Sequence, residues 1–551
     1  MAVFRSNPSN PFPPLPDLGR RQFLRNAGLL AGATALGGLP LRAPAVISGA
    51  ERVGTPCGVQ AGDVLADRAV IWSAADRAAR MWVELADNPD FLNAVRLQGP
   101  AALPETGLTA KLDVAGLRPN ARTYYRVTFE DLRESAFASE PLVGSLLTPD
   151  LALPDAGALG RGLLRDIRFV WSGDLAGQGW GINPEFGGYR IFAAMRRVAP
   201  DFFLHSGDSI YADGPIAESV TLADGSVWRN LVTPAKAKVA ETLDEFRGNH
   251  QYNFLDENLR RFNAEVPLYA QWDDHEVLNN WYPGKVLTDP RYTETDVDVL
   301  AARAQQAFVE YLPVRFGERD RLFRHFARGP LLDIFRIDLR TFRGPNTANR
   351  QGVPGAETPY LGGEQLAWLK RALQDSRGTW KVIAADLPLG LVVRDGANFE
   401  NDANADNGAP LGRELEIAEL LRFIRDNRIH NVVWLTADVH YAAAHRYDPA
   451  RAAFREFLPF WEFVSGPLNA GTFGPNELDG TFGPQVVFAK APPPGQTNLP
   501  PSAGMQFFGQ VDIDAHSARM TVTLKDLDGA ALFTQVLDPE RGPGPVAGRA
   551  L

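Results

Sequence analysis

The sequence has few cysteines, few histidines, no excess of basic residues and no long apolar run, and each of these absences excludes a class of site or partner. It contains a single cysteine, Cys57, so it can form neither an intramolecular disulfide nor a cysteine-based zinc site. Basic residues number 56 against 66 acidic ones, and this net charge of −10 argues against a nucleic-acid binder with a broad basic surface. Beyond the first 45 residues, no apolar run reaches the roughly 18 residues that a membrane-spanning helix needs. With one cysteine, any metal site must be formed by Asp, Asn, Tyr or His side chains, and only eight histidines occur.

The chain does have length and apolar surface. Its 551 residues exceed the roughly 100–150 of a typical domain, so at least two folded units are expected. Hydrophobic residues make up 45% of the chain and charged residues 22%, which is close to the globular average. This composition excludes global disorder.

The N-terminal segment has the pattern of an export signal. The pair Arg20-Arg21 precedes a weakly apolar run at 26–41, and an Ala-Pro-Ala sequence at 43–45 has the spacing of a cleavage site. This pattern resembles a twin-arginine signal peptide, whose partner is the twin-arginine export machinery. A permanent membrane anchor is the alternative. We expect a signal peptide at 1–45, whose removal leaves no integral membrane segment and a periplasmic or secreted protein.

Two different patterns divide the remaining chain. From 46 to 148, short period-two alternations separated by turn residues predict a β-sandwich domain of immunoglobulin or fibronectin type. A linker rich in Pro, Gly and Ala follows at 149–162. From 163 to 551, apolar strand runs alternate with helical periodicity, which predicts an α/β catalytic domain.

Several predicted strands of the second part end on polar residues. They lead to Gly173-Asp174, to Gly207-Asp208 with Tyr211 nearby, to Asp273-Asp274-His275-Glu276, to Asp386, and to Asp438-Val439-His440. In open α/β sheets, the loops beyond the carboxyl ends of the strands form the ligand site. Asp174 and Asp208 are 34 residues apart, about one strand–helix–strand unit, so we expect them on neighbouring loops.

These residues have the chemistry of a metal centre. Neighbouring carboxylates repel one another unless a cation lies between them. The candidate ligands, enough for two metal ions, are Asp174, Asp208, Tyr211, Asp274, Asp438 and His440. A phenolate ligand favours a hard trivalent ion such as ferric iron. Each residue alone has a structural alternative, such as a turn-forming Asp or a packed Tyr, but their joint occurrence after apolar strands indicates a metal site.

In this order, the blocks resemble the alkaline phosphatase D (PhoD) family of calcineurin-like metallophosphatases. The blocks are Gly173-Asp174, Gly207–Asp213, Trp272–Glu276 with Asn279-Asn280-Trp281, and Ala437–His440, with further landmarks at Asp338-Leu339-Arg340, 361–365 and 385–390. The resemblance begins at about Gly58. It implies a four-layer αββα metallophosphatase domain preceded by the β-sandwich, and phosphomonoesterase or phosphodiesterase activity.

The resemblance also implies roles for individual residues. Asp208, Tyr211 and His440 match ligand positions of an iron and calcium site. By analogy with the wider superfamily, Asp274 replaces an asparagine ligand, and His275 matches the catalytic histidine.

The chain departs from many family members at Asp174, where they have a cysteine. A carboxylate in place of a thiolate favours hard metal ions. We expect two or more ions, Fe3+ and Ca2+, with Zn2+ or Mn2+ as alternatives.

Three further residues are candidates for substrate binding. Arg340 has the guanidinium fork that binds phosphate, or it is a structural ion-pair partner. Asn279 and Asn280 either donate hydrogen bonds to a bound phosphate or cap a helix.

Taken together, these patterns predict an exported phosphoesterase that hydrolyses phosphate esters with a metal-bound hydroxide, with His275 either protonating the leaving alkoxide or stabilising the pentacoordinate state. Two alternatives stay open. One is a diester-specific enzyme, phospholipase D-like or nuclease-like. The other is a non-catalytic phosphate-binding protein. In each case the expected partner is a phosphate ester or phosphate, and no stable nucleic-acid partner is expected.

Overall fold

A computed structural model describes residues 52–150, 164–315 and 321–540. The signal predicted at 1–45 and most of the linker predicted at 149–162 lie outside the described residues. Within the described ranges, no helix is long and apolar enough to cross a membrane.

The strands and helices alternate along the second part of the chain. In chain order, the strands are β1 (Val59–Gly62), β2 (Arg68–Ala74), β3 (Ala79–Ala86), β4 (Val95–Ala102), β5 (Thr109–Ala115), β6 (Arg122–Asp131), β7 (Leu142–Leu147), β8 (Ile167–Ser172), β9 (Phe202–Ser206), β10 (Ser219–Thr221), β11 (Val227–Arg229), β12 (Leu268–Gln271), β13 (Arg324–Ala327), β14 (Leu332–Arg336), β15 (Trp380–Ala384), β16 (Arg394–Asp395), β17 (Asn398–Phe399), β18 (Val432–Thr436), β19 (Ala442–Tyr447), β20 (Phe460–Val464), β21 (Pro484–Lys490), β22 (Phe507–Ile513), β23 (Met520–Asp526) and β24 (Ala531–Leu537). The α-helices are α1 (Arg190–Arg197), α2 (Leu243–Asn253), α3 (Glu257–Glu265), α4 (Val297–Tyr311), α5 (Gly363–Asp375) and α6 (Glu414–Asp426). Short 3-10 helices lie at Pro104–Thr106, Pro234–Lys236 and Pro501–Ala503.

The strands form two large sheets with parallel centres. The first sheet has the order β24-β23-β22-β8-β9-β12-β1-β2-β5, and its strands β8, β9, β12 and β1 run parallel. The second has the order β13-β14-β15-β18-β20-β19-β21, and β14, β15, β18 and β20 run parallel. A four-stranded sheet, β4-β3-β6-β7, and the hairpins β10-β11 and β16-β17 are separate. Parallel neighbours place their carboxyl ends at the same edge of a sheet, where ligand sites form.

The side chains that are buried together show how the two large sheets are layered. On β9, Phe203 packs with helices α1–α4, while Leu204 faces the second sheet. On the far side of the second sheet, Trp434 packs with Leu369 of α5 and Leu421 of α6. The order of layers is helices, sheet, sheet, helices. The fold is therefore of the predicted mixed α/β class.

The strands of the N-terminal part divide between two sheets. Strands β1, β2 and β5 extend the nine-stranded sheet, whereas β3, β4, β6 and β7 form the four-stranded one. Gln60 Nε2 donates to the Tyr311 carbonyl at 3.0 Å and Trp72 Nε1 to the Glu310 carbonyl at 2.6 Å, both at the end of α4. The described chain thus forms one compact unit. A period-two alternation identifies strands, but it does not show which sheet they join, and the domain limits 46–148 remain a prediction.

Asp63 connects β1 to the second sheet. Its side chain is fully buried, with Oδ2 accepting from the Arg315 N–H at 2.7 Å and Oδ1 lying 3.4 Å from Arg336 Nη1 of β14. The Asp63 carbonyl accepts from Arg315 Nη1 at 2.7 Å. Burial lowers the pKa of Arg336, and the charge of Asp63 acts in the opposite direction. Removing the carboxylate would leave a buried guanidinium without its counter-charge.

We therefore expect Asp63→Asn to destabilise the protein by about 3 kcal/mol, because breaking a buried ion pair leaves an uncompensated charge. Asparagine tolerates the left-handed backbone of this position, where φ is 43°, so backbone strain does not contribute. Urea denaturation followed by tryptophan fluorescence measures the change. Asp67→Asn, in the same turn but exposed, is the matched control and should stay within about 0.5 kcal/mol of wild type. Equal stability of the two variants would contradict the assignment.

Candidate metal centre

The carboxyl ends of strands from both large sheets meet at one place. Asp174 follows β8, Asp208 follows β9, Asp273 and Asp274 follow β12, Asp386 follows β15, and Asp438 and His440 follow β18. β8 and β9 are parallel neighbours, as the spacing of Asp174 and Asp208 predicts. Trp171 Nε1 donates to the Thr436 carbonyl at 3.2 Å and so joins the two sheets next to this edge.

The backbone turns sharply where the candidate ligands leave their strands. The left-handed φ values are 69° at Asp174, 54° at Asp208, 60° at Asp438 and 59° at His440. Such values are uncommon outside glycine, although Asp and His are enriched among the exceptions. Gly207 also has a positive φ, and a Cβ there would come 2.4 Å from the Asp273 Cβ. Strained backbone of this kind concentrates at functional sites.

The first group of candidate ligands contains Asp174, Asp208, Tyr211 and His440. One ligand atom each from Asp174, Asp208 and His440 lie within 4.8 Å of one another, and Tyr211 Oη is 2.9 Å from His440 Nε2. His440 Nδ1 is 2.5 Å from the Gly471 carbonyl, to which it donates. That hydrogen bond leaves Nε2 as the nitrogen available for a metal ion.

A second group adjoins the first. Asp208, Asp274 and His275 bring ligand atoms within 4.8 Å of one another, and Asp273, Asp274 and Asp438 do the same. Asp208 belongs to both the first group and this one, so its carboxylate lies between them. The structure thus brings together all six sequence-predicted ligands, and it adds Asp273, which the sequence analysis had not assigned.

The donor atoms fit metal ions. Among the described residues, both carboxylate oxygens of Asp174, Oδ2 of Asp208 and Oδ1 of Asp274 are buried without a hydrogen-bond donor. Burial raises the pKa of Asp174 and of Asp208 well above the ordinary value, and the carboxylate of Asp273 raises it further. Buried acids in contact ionise together only when cations offset their charge. Hard oxygen donors with one imidazole suit hard or borderline ions.

His275 differs from the other residues of the centre. Its Nδ1 lies 2.7 Å from Oδ1 of Asp213, while its Nε2 is 3.9 Å from Oδ1 of Asp274. Burial alone would lower its pKa, but Asp213 and Asp274 outweigh burial and raise the pKa to about 10. These two carboxylates thus favour the protonated ring, which places an N–H group beside the candidate ligands.

Asp213 was not assigned a role from the sequence. It is buried, and its Oδ2 accepts from the Asn279 N–H at 2.9 Å while Oδ1 faces His275. It lies in the Gly207–Asp213 block, two residues after Tyr211, so its position beside the candidate ligands was the available signal.

Glu276 joins the loops that follow β9 and β12. Its buried carboxylate accepts from the N–H groups of Asp208 at 3.2 Å, Ser209 at 2.6 Å and Asp273 at 2.8 Å. The Ser209 hydroxyl adds a fourth hydrogen bond at 2.7 Å. No role was predicted for it, because Asp208 and Ser209 become its neighbours only after folding.

Arg340 is fully buried among carboxylates. Its Nε donates to Asp273 Oδ1 at 2.5 Å and lies 3.6 Å from Asp386 Oδ2, and its Nη1 contacts Glu400. Its Nη2 is 3.8 Å from Asp274 Oδ2 and has no hydrogen-bond partner among the described residues. The contacts are those of an ion-pair partner, and the phosphate-binding role of Arg340 stays a prediction.

The two predicted asparagines contact the centre through their backbones. The Asn280 N–H donates to Asp274 Oδ2 at 2.6 Å, and that of Asn279 donates to Asp213. The Asn279 side chain is exposed and Asn280 is buried. Their side-chain roles toward substrate stay predictions.

Solved structures share this fold. A structure of PhoD matches with a TM-score of 0.65 at 22% identity, over 89% of this chain and 91% of that one. The purple acid phosphatase PPD1 from yellow lupin (Lupinus luteus) seeds matches with a TM-score of 0.53 at 12% identity, over 87% and 74%. The chain therefore belongs to the fold class of PhoD and of this purple acid phosphatase.

Sequence comparison then narrows this class to a family. The sequence model described as PhoD-like phosphatase matches residues 169–524, and the one for the N-terminal domain of PhoD-like phosphatases matches residues 42–149. Alkaline phosphatase D of Bacillus subtilis (strain 168) is 29% identical over 492 residues, which are 83% of this chain and 77% of that protein. The chain belongs to the PhoD-like phosphatase family, which confirms the resemblance of the sequence blocks and makes the protein an enzyme acting on phosphoric esters.

We expect Glu276→Gln to weaken metal binding about 10-fold or more, because an amide N–H would face backbone N–H donors and displace Asp208 and Asp273. Calorimetric titration of metal-stripped protein with Mn2+ measures the affinity. Glu134→Gln, on the exposed β6-β7 connection, is the control and should bind as wild type does. Unchanged Mn2+ affinity in Glu276→Gln would show that the four hydrogen bonds do not support the ligands.

Proposed function

We propose that this protein is a metal-dependent phosphoesterase whose metal ions bind at Asp174, Asp208, Tyr211, Asp274, Asp438 and His440. The observation that carries the proposal is the set of buried carboxylate oxygens at the strand ends that have no hydrogen-bond donor among the described residues, in a member of a phosphatase family. When bound, the metal ions would supply a Lewis acid that offsets charge on the phosphoryl oxygens and makes water a better nucleophile.

In this proposal, His275 is the general acid. Its Nδ1–H bond to Asp213 orients the ring and leaves Nε2–H directed toward the carboxylate group of candidate ligands. The raised pKa of His275 keeps that proton available, and Nε2 can give it to the leaving alkoxide as the P–O bond breaks. Asp213 acts on the reaction only through His275.

Arg340 has a positioning role in the same proposal. It contacts Asp273 directly and reaches Asp274, both of which belong to the second group of ligand atoms. Its guanidinium offsets part of the negative charge and fixes the loop after β12, whether or not the unpaired Nη2 also meets a phosphate oxygen.

We also propose the metals and the location expected from the sequence. A phenol, carboxylates and one imidazole suit Fe3+ with Ca2+, and Zn2+ or Mn2+ are the alternatives where Asp174 replaces a thiolate. The Arg20-Arg21 pattern supports twin-arginine export to the periplasm or outside the cell. The layer order supports assignment of the described fold to the αββα type.

The direct test is hydrolysis of p-nitrophenyl phosphate and bis-p-nitrophenyl phosphate, before and after chelation. We expect activity to disappear with chelator and to return with added metal, because the carboxylates cannot offset phosphoryl charge themselves. Asp208→Asn should lower the rate of hydrolysis by more than about 100-fold, because removing a metal ligand costs more than removing a residue that only orients one. Asp224→Asn, in the exposed β10-β11 turn, should lose nothing. Chelator-resistant hydrolysis, or phosphate binding without turnover, would overturn the proposal, and the ratio of the two rates gives the ester class.

The role of His275 predicts a dependence on the leaving group. We expect His275→Asn to lower kcat for an alkyl phosphate by roughly 100-fold or more, because an alkoxide must be protonated as it leaves. For p-nitrophenyl phosphate, whose leaving group is stable as an anion, the loss should be much smaller. Asp213→Asn should also lower kcat more for the alkyl phosphate than for p-nitrophenyl phosphate, but both decreases should be smaller than those of His275→Asn. Equal losses for both substrates would contradict proton donation and favour a phosphate-binding role for the imidazolium.

A further inference from the structure

The segment 491–500 passes beside the candidate metal centre. Residues 493–497 are exposed, but the chain then turns inward at Asn498, which is half-buried and has a left-handed φ of 51°. Thr472 and Leu499 form an antiparallel bridge, and the Asn498 N–H donates to the Thr472 carbonyl at 2.7 Å. The segment is therefore fixed against the loop that contains Gly471.

The side-chain amide of Asn498 makes two hydrogen bonds to another loop. Its Oδ1 accepts from Trp180 Nε1 at 2.9 Å, and its Nδ2 donates to the Gln178 carbonyl at 3.2 Å. Gln178 and Trp180 belong to the loop that leaves β8 after Asp174. One amide thus connects this loop to the loop of Gly471.

On one side of Asn498 lies the support of His440. The Gly471 carbonyl is the acceptor for His440 Nδ1, at 2.5 Å. The Cα of Gly471 packs directly on the Asn498 amide, so closely that a Cβ there would come 1.7 Å from Asn498 Oδ1. The position of that carbonyl therefore depends on Asn498.

On the other side lies the support of Tyr211. The residue before Gln178 is Gly177, where a Cβ would come 2.5 Å from Tyr211 Cζ, so the backbone of this loop packs directly on the Tyr211 ring. Tyr211 Oη and His440 Nε2 are 2.9 Å apart, so the two supports converge on one pair of ligand atoms.

We infer that Asn498 is a positioning residue that fixes His440 and Tyr211 for metal binding, by holding the backbones of Gly471 and Gln178 at a set separation. The inference rests on the proposed metal-dependent function. Residues that orient metal-coordinating side chains without binding the metal themselves are known in other sites, and their loss typically weakens metal binding 10- to 100-fold. Asn498 itself touches neither metal ligand.

The test compares Asn498→Gly with Thr497→Ala. Glycine keeps the left-handed backbone available and removes the whole side chain with its two hydrogen bonds, and Thr497 is an exposed neighbour in the same segment. In calorimetric titration of metal-stripped protein with Mn2+, we expect Asn498→Gly to bind about 10-fold more weakly and Thr497→Ala to bind as wild type does. Excess Mn2+ should restore most of the kcat of Asn498→Gly, and urea denaturation of the metal-stripped variants, expected to be equal, separates weaker binding from a general loss of stability.

A second variant tests the contact itself. Gly471→Ala alone should weaken Mn2+ binding more than Asn498→Gly, because its Cβ overlaps Asn498 Oδ1. In the double variant this overlap is gone, and the remaining 3.2 Å contact with Gln178 Cβ needs only a small shift. We expect the double variant to bind Mn2+ no more weakly than Gly471→Ala. Losses that multiply would overturn the inference, since independent sites add in free energy.

The outcomes separate the two proposals. Wild-type protein that binds Mn2+ but hydrolyses no phosphate ester would contradict the proposed function and leave the Mn2+ affinities to judge Asn498. Wild-type protein with chelator-sensitive hydrolysis, together with an Asn498→Gly variant of unchanged Mn2+ affinity, would overturn only the positioning role.

Discussion

Mutual repulsion of buried carboxylates is the constraint on which this site depends. Two unit charges about 4 Å apart interact by about 4 kcal/mol at the effective dielectric of a protein, and several such pairs occur where the strand ends meet. The fold offers His275 and Arg340 as positive charges, but within the described part of the chain both oxygens of Asp174 and Oδ2 of Asp208 still have no hydrogen-bond donor. Cation binding and stability of the strand ends are therefore expected to be coupled, as in other metal sites.

The acidic residues of the centre divide into two functions. Among the described residues, both carboxylate oxygens of Asp174 and Oδ2 of Asp208 have no hydrogen-bond donor, whereas the Glu276 carboxylate accepts from three backbone N–H groups and from the Ser209 hydroxyl. A carboxylate of the second kind contributes no open ligand atom. Such a carboxylate holds the loops in place, so that the candidate ligands Asp174 and Asp208 keep one geometry despite their mutual repulsion. Asp213 belongs to the second kind, since it accepts from a backbone N–H and orients His275.

Much of the centre could be predicted from the sequence, because the candidate ligands follow apolar strands directly and parallel strands end at one edge. Asp213 and Glu276 escaped because most of their partners lie on loops that are distant in sequence, His275 and Asn279 for Asp213, and Asp208 and Ser209 for Glu276. The role of Arg340 could not be predicted either, because the sequence does not show whether an arginine after a strand contacts a phosphate or, as here, buried carboxylates. For the N-terminal strands, alternation indicated strands correctly, but the pairing of β1 with β12 depends on long-range contacts such as those of Asp63.

The position of β8 has a consequence for the order of events during synthesis. This strand precedes Asp174, yet one of its two neighbours is β22, whose residues are made more than 330 positions later, and the Ser172 hydroxyl donates to the Phe507 carbonyl. The first ligand loop therefore lacks one flank until nearly the whole chain has left the ribosome. Pairing over such a long sequence separation slows folding. A chain that stops before β22 would carry every candidate ligand and still lack a complete edge to present them.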